Sequence, residues 1–287
     1  SGVVFENGRT IKGKEVTPFR EIPCNKDIFL FYYLAKKLGI ISGDESRENL
    51  VSGFILKWVR DGIITIRENE SGAIVKKKNY DMYLDVDAKF ENKQETALYK
   101  MFILASKEGV LQTKAFQKWC SKHYKKIDDW FTKVDNVTED SMNKNGYAKT
   151  KTIYKRFLFW NIPRDRTVWT DKAYDQCLYV WGFNNFLEDE DNMKEKAAIE
   201  VKLWDEYLIF AAVLGIADRV EKQLKVAIPR YEETSTYNNF PIYYYTHTFA
   251  HNSMSAASSA ASAGQGGSSS FSGGGGGFSG GGGGGVR

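Results

Sequence analysis

The stretch IEVKLWDEYLIFAAVLGIADRVEKQLK, residues 199–225, is the longest apolar-periodic segment of the chain. Its apolar residues recur at intervals of three and four, which places them on one face of a helix. Four of them form the predicted packing spine of that helix: Trp204, Tyr207, Phe210 and Leu214. Leu203 falls on the same predicted face. Gly215 lies inside the segment at a cost of roughly 1 kcal/mol relative to Ala, so a neighbouring element is expected to approach the backbone there.

The same segment is too short to cross a membrane. Its apolar centre covers only residues 207–217, whereas a membrane helix needs about 20 apolar residues. Pro229 follows the segment and predicts its end. A core helix is therefore expected.

The composition is that of a globular protein with a substantial core. The 287 residues are 42% hydrophobic and 14% aromatic, enough for one large domain or two modest ones. Forty Lys and Arg against 36 Asp and Glu leave a net charge of +4, which tolerates an anionic partner without requiring one. The three cysteines are scattered, which favours a reducing compartment over a disulfide framework.

The first part of the chain has the element order of a winged helix. After an extended arm at 1–24, the periodicity predicts a helix from Asp27, capped by Asn25 or Asp27 and ended at Gly39, and a second helix that Gly62 ends. The runs IITIRE (63–68) and AIVKKK (73–78) then predict two strands around a turn. Residues 25–88 are therefore predicted to form a first winged-helix-like unit.

A second, divergent winged-helix-like unit is predicted at 89–182. Helices are expected within 95–109 and 113–134, whereas TIYKRFLFWNIPRDRTVW (152–169) fits helix or strand, and a helix through Phe159 is favoured. Residues 183–230 are predicted as a connection followed by the long helix. The predicted fold class is thus α+β and mostly helical.

The end of the chain, 231–287, is predicted as a polar aromatic segment and an Ala/Ser/Gly tail. Disorder is expected from about residue 250 to 287, because such a composition buries too little surface to offset the entropy of ordering it.

Several segments resemble the carboxyl-terminal region of a bacterial predicted-membrane-protein family, domain of unknown function 2207. The matching stretches are FREIPC at 19–24, ILKWVRDGIITI at 55–66, GFNNFLEDE at 182–190, LWDEYLIFAAVLGIADRV at 203–220 and the glycine-rich end. The resemblance implies a membrane-tethered parent, with this soluble region on its cytoplasmic side. It implies no catalytic residues.

No residue pattern predicts a catalytic or metal site, and neither an enzyme nor a cofactor is expected. Cys120 and His123 share a helix face, but a closed zinc site needs four such ligands. His247 and His251 are four apart, in a region where no helix is expected to align them. A hydrolase of unrecognised type remains a remote alternative, which would require a pocket with convergent polar groups and perturbed titratable residues.

Lysines and arginines of the two predicted units are the candidate contacts for an anionic partner. They are Arg47, Lys57, Arg60, Lys76, Lys77, Lys78, Lys118, Lys122, Lys125 and Lys126. Nearby acidic residues make a solvated surface the plainer interpretation. The leading hypothesis is a non-catalytic module that binds an unknown protein; the alternatives are a nucleic-acid-binding winged helix and contact with an anionic membrane surface.

Overall fold

The computed structural model describes residues 3–71, 77–191, 193–237 and 241–266. The helices are α1 (Ile28–Lys37), α2 (Gly43–Arg60), α3 (Lys93–Ala105), α4 (Thr113–Lys122), α5 (Tyr124–Lys144), α6 (Asp171–Glu188), α7 (Met193–Ala197), α8 (Val201–Val213), α9 (Ala217–Ala227), α10 (Tyr231–Thr234) and α11 (Ile242–Gly266). The strands are β1 (Ile64–Ser71), β2 (Lys77–Leu84), β3 (Val110–Gln112), β4 (Ala148–Phe157) and β5 (Trp160–Trp169). The predicted class, α+β and mostly helical, is confirmed.

The first two helices begin and end as their sequence signals indicate. The Asp27 carboxylate accepts hydrogen bonds from the backbone N–H groups of Phe29 and Leu30, which caps α1. Gly39 and Gly62 follow α1 and α2 with φ angles of +71° and +72°, the left-handed conformation that glycine adopts at little cost.

The first hairpin belongs to a three-stranded antiparallel sheet in the order β1-β2-β3. Ile64 pairs with Leu84, and Met82 pairs with Leu111 of β3. Strand β2 begins at Lys77, later than the predicted run at 73–78, of which 73–76 lie outside the described residues. Because β3 comes from the second predicted unit, the boundary drawn at residue 88 crosses one continuous sheet.

The long helix predicted over 199–225 is wrong in one respect: it is two helices, α8 and α9. Gly215 separates them with a φ of +77°, a conformation that a continuous right-handed helix cannot contain. The expected close approach is present at this point, because a Cβ on Gly215 would lie 3.0 Å from Nδ2 of Asn49 in α2. The glycine therefore serves both the turn and the contact.

Helix α8 lies at the centre of the core. All four spine residues are buried: Trp204, Tyr207, Phe210 and Leu214. Phe210 meets Phe31 of α1 edge to face at a centroid distance of 5.1 Å, and Tyr207 meets Phe183 of α6 at 5.4 Å. Helix α8 thus packs against α1 of the first predicted unit and against the part of α6 that belongs to the predicted connection.

Helix α2 approaches α8 closely at Gly53. A Cβ there would lie 2.7 Å from Cγ2 of Val213, a separation that packed carbon atoms do not tolerate. A side chain at this position would force the two helices apart.

The disorder predicted from residue 250 is wrong as far as residue 266, because α11 is a 25-residue helix. Its buried side chains recur at intervals of three and four: Ile242, Tyr243, Tyr245, Thr246, Phe249, Ala250, Ser253, Met254 and Ala257. Phe249 stacks on Phe116 of α4 at 5.1 Å, and the Ser52 hydroxyl of α2 donates to Thr246 Oγ1 at 3.1 Å. Alanine is the best helix former, and small residues allow close packing. Residues 267–287 lie outside the described part.

The amino-terminal arm is held against the second half of the chain. The Glu6 N–H donates to the Trp169 carbonyl at 2.8 Å, and the Phe19 N–H donates to the Gly182 carbonyl of α6 at 2.9 Å. Helix α6 extends through Glu188, so the connection predicted to begin at 183 is wrong for its first six residues, which form the last turns of a helix.

Candidate interaction surface

Strands β4 and β5 form a separate two-stranded hairpin, and the helix favoured through Phe159 is wrong. The pairing runs from Ala148 with Trp169 to Phe157 with Trp160, leaving a two-residue loop. β-branched and aromatic residues favour a pleated strand, which explains the outcome. Leu158 opens the loop with a φ of +54°, at a position where glycine is usual. The conformational preferences of such turns therefore do not explain why a leucine occupies position 158.

The end of the hairpin exposes a group of large apolar side chains, here called the apolar tip. Its members are Tyr154, Leu158, Phe159, Trp160 and Ile162. Phe159 is 93% exposed, Trp160 75% and Leu158 73%. Single exposed apolar residues are ordinary, but five large ones at one end of a hairpin indicate an interaction site.

The hairpin is also strongly basic, both among the residues of the apolar tip and behind them. This basic stem consists of Lys149, Lys151, Lys155, Arg156, Arg164 and Arg166. Lys151 stands directly opposite Arg166 across the strands, an arrangement of like charges that destabilises a sheet. Asp165 is the one acidic residue of β4 and β5, and it accepts a hydrogen bond from the Thr152 hydroxyl at 2.8 Å.

The base of the hairpin is fixed to the helical body. Val168 and Trp169 are buried, and Trp169 stacks on Tyr33 of α1 at 6.3 Å. Phe5 of the arm meets Trp169 edge to face at 6.1 Å. Between this base and the loop, the described side chains of both strands are exposed, so the hairpin projects from the body.

A cleft of about 310 Å³ opens at the base of the hairpin. Its polar lining includes Tyr33, Lys37, Glu139 and Arg166. The Tyr33 hydroxyl donates to the Glu139 carboxylate, and burial together with this carboxylate raises the pKa of Tyr33. The phenol therefore stays protonated and acts as a hydrogen-bond donor. The lining contains no Cys, His or Ser to act as a nucleophile.

Three of the basic residues predicted to meet an anionic partner are paired within the protein. Arg47 lies 2.6 Å from Asp128, Lys57 lies 2.6 Å from Glu95, and Arg60 lies 3.0 Å from Asp61. Lys76 lies outside the described residues, and so do the side chains of Lys77 and Lys78.

The remaining four predicted contacts, here called the basic cluster, are exposed on α4 and at the start of α5. They are Lys118, Lys122, Lys125 and Lys126. Within the described part of the chain, none of the four forms an ion pair. Their charge is therefore open to an external anion.

The cysteines and histidines considered for metal binding are dispersed. His123 packs on the Trp119 ring at 4.5 Å rather than beside a second ligand. Helix α11 does align His247 and His251, contrary to expectation, and both face Glu48 of α2, with His251 Nδ1 2.7 Å from its carboxylate. Among the described residues, no group of three or more His, Cys, Asp and Glu side chains is arranged to hold a metal ion.

The three thiols are expected to be unreactive in the folded protein. Cys24, Cys120 and Cys177 are all buried, and burial raises the pKa of each, that of Cys120 to about 12. Because the thiolate is the reactive form, iodoacetamide at neutral pH should label none of them quickly in native protein and all three after denaturation. Mass spectrometry of the labelled chain checks this. Rapid native labelling of any one thiol would contradict the packing described above.

Residues 156–224 match the family model described as "Predicted membrane protein (DUF2207) C-terminal domain". The match runs from the end of β4 to α9, and it confirms the resemblance found at 182–190 and 203–220. The stretches at 19–24 and 55–66 lie outside it. No curated protein and no solved structure matches the chain significantly. None of the helices in the described residues combines the length and the apolar character needed to span a bilayer.

Proposed function

We propose that this region is a non-catalytic interaction module of a membrane-tethered protein, placed at the cytoplasmic face of the membrane, and that the β4–β5 hairpin makes the contact. The exposed apolar tip carries this proposal. The matching family consists of predicted membrane proteins of unknown function, which supports the tether.

The energetics of the hairpin favour an external partner. Covering a large apolar side chain gains about 1.5–3 kcal/mol, and the apolar tip presents five such side chains that the helical body leaves exposed. A two-stranded hairpin is marginally stable in water by itself. A partner that covers the tip would therefore order the hairpin as well as bind it.

Site-specific photo-crosslinking in the full-length parent, in its own cell, tests the proposal. A photoreactive phenylalanine analogue replaces Phe159 in one variant and Val226 in a control, since Val226 is also apolar and is 83% exposed. We expect residue 159 to give covalent adducts, with protein or with lipid, at several times the yield of residue 226. Equal yields at the two positions would count against an interaction through the hairpin.

Nucleic-acid binding is the second candidate, and the unpaired basic cluster favours it. The internal pairing of Arg47, Lys57 and Arg60 argues against the winged-helix docking mode, in which these residues would contact phosphates. This candidate requires affinity that falls steeply with salt and is lost when the basic cluster is changed to Gln. A gel-shift series without binding at low salt would remove it.

A further inference from the structure

We propose that the apolar tip inserts into the interfacial layer of an anionic lipid bilayer, with the basic stem at the level of the headgroups. The inference rests on the proposed function and names the partner of the hairpin. The residues that carry the inference belong to the β4–β5 hairpin, whereas the lysines that the sequence suggested for membrane contact lie outside it.

The order of side chains along the hairpin matches the polarity profile of a bilayer surface. Strands rise about 3.3 Å per residue, so Arg156 and Lys155 lie roughly 7 and 10 Å behind Leu158 of the loop, and the pair Lys151 and Arg166 lies on the order of 23 Å behind it. Interfacial segments bury their apolar part about 5–10 Å into the headgroup and acyl boundary. An inserted tip therefore brings the first cations of the stem to the phosphate layer.

The residue types of the tip are those that concentrate at membrane interfaces. Trp160 and Tyr154 combine an apolar ring with a polar group, and such side chains are enriched at the headgroup level. Leu158 and Phe159 are purely apolar and occupy the loop, the outermost point of the hairpin. Lysine and arginine next to them can extend their alkyl stems along the acyl boundary while the charged group stays in the headgroup layer.

The charge of the stem selects an anionic surface over a protein groove. Arg156 and Lys155, the cations of the stem nearest the loop, would lie at the layer of lipid phosphates. Each cation near an anionic membrane raises binding by roughly fivefold. Protein interfaces, by contrast, are depleted of charge at their core and especially of lysine. A tip bordered by Arg156 and Lys155, with Asp165 as the one carboxylate of the two strands, thus complements a lipid surface best.

Co-sedimentation of the 287-residue chain with lipid vesicles tests the inference. The vesicles are phosphatidylcholine alone and phosphatidylcholine mixed with phosphatidylglycerol. One variant carries Phe159→Ser and Trp160→Ser in the tip, and a second carries Lys155→Gln and Arg156→Gln in the stem. The matched control carries Leu104→Ser and Val226→Ser, since these apolar residues are exposed on helices α3 and α9. Circular dichroism verifies that each variant is folded.

We expect the original chain to bind the anionic vesicles, and the tip variant to bind them at least tenfold more weakly. The stem variant should lose several-fold in binding to anionic vesicles alone, and the control variant should bind as the original chain does.

Absence of vesicle binding by the original chain, or equal binding by the tip variant, would overturn the inference. So would self-association in the absence of lipid that the tip variant abolishes, since a second copy would then cover the tip. If crosslinking at residue 159 captures a protein while the vesicles bind nothing, the interaction module stands and the lipid partner does not.

Discussion

Ending the chain after residue 240 is expected to abolish the native fold, whereas ending it after Gly266 is expected to leave the fold intact. Helix α11 covers α2 and α4 with nine buried residues, among them Phe249 and Met254. Each large apolar side chain removed costs about 1.5–3 kcal/mol. Five of the nine are large, and together they contribute roughly 7.5–15 kcal/mol, which is comparable to the roughly 5–15 kcal/mol by which a whole domain is typically stable.

Thermal unfolding followed by circular dichroism, together with binding of a hydrophobic dye, measures this effect. The shorter chain should lose its cooperative transition and bind the dye, because the faces of α2 and α4 that pack on α11 would be exposed. The chain ending at Gly266 is the matched control, with the transition temperature of the full chain expected. A cooperative transition retained by the shorter chain would show that α11 is dispensable for the core.

The substitution Trp204→Ala is expected to lower the free energy of unfolding by about 3–5 kcal/mol. The indole is fully buried between Phe186, at a centroid distance of 6.3 Å, and Tyr207, at 5.1 Å. Its N–H donates to the Lys196 carbonyl at 3.1 Å, so the substitution also removes a buried hydrogen bond. Urea denaturation measures the change.

The neighbouring substitution Leu203→Ala provides the control. Leu203 is 37% exposed although its spacing placed it on the buried face of α8, and a substitution at such a site changes stability by about 0.5 kcal/mol or less. The two variants differ by one position on one helix, so helix propensity affects them similarly. Equal destabilisation by both variants would contradict the described orientation of α8.

The sequence alone predicted those helices whose apolar periodicity agrees with the residues that mark their start and end. Asp27, Gly39 and Gly62 mark the ends of α1 and α2 through capping and left-handed φ angles, which are local properties of the chain. The spine of α8 was readable for the same reason, since its apolar residues repeat at helical spacing. What could not be read was the break at Gly215, because glycine within a helical pattern is compatible with both a close contact and a turn.

The prediction was wrong for α11 and for the β4–β5 hairpin because tertiary contacts determine the structure of these polar and aromatic segments. Helix α11 looks too poor in large apolar residues to be ordered, yet its few large and many small side chains fall on one stripe from Thr246 to Ala257. That spacing was the available signal, and the low hydrophobicity of the segment masked it. For the hairpin, the β-branched and aromatic content around Leu158 indicated a strand. Pro163 of β5 was equally compatible with the end of a helix, because proline cannot continue one.

The candidate site was missed for a related reason. The prediction looked for charge and found Arg47, Lys57 and Arg60. Each of the three meets a carboxylate from a distant element of the fold: Asp128, Glu95 and Glu206, respectively. The exposed tip was invisible because Phe159 and Trp160 resemble core residues in the sequence. Only the projecting geometry of the hairpin distinguishes an aromatic residue in solvent from one in a core.

The position of α11 in the chain has a consequence for biosynthesis. Glu48 of α2 and His251 of α11 are in contact although 203 residues separate them in the sequence. At the usual rate of about 5–20 residues per second, the ribosome needs on the order of 10–40 s to make the chain between them. For most of that interval the apolar face of α2 lacks both α8 and α11, the two helices that pack most extensively on it. The nascent chain is therefore expected to need a chaperone until the last helix is released, and premature termination would yield a product prone to aggregation.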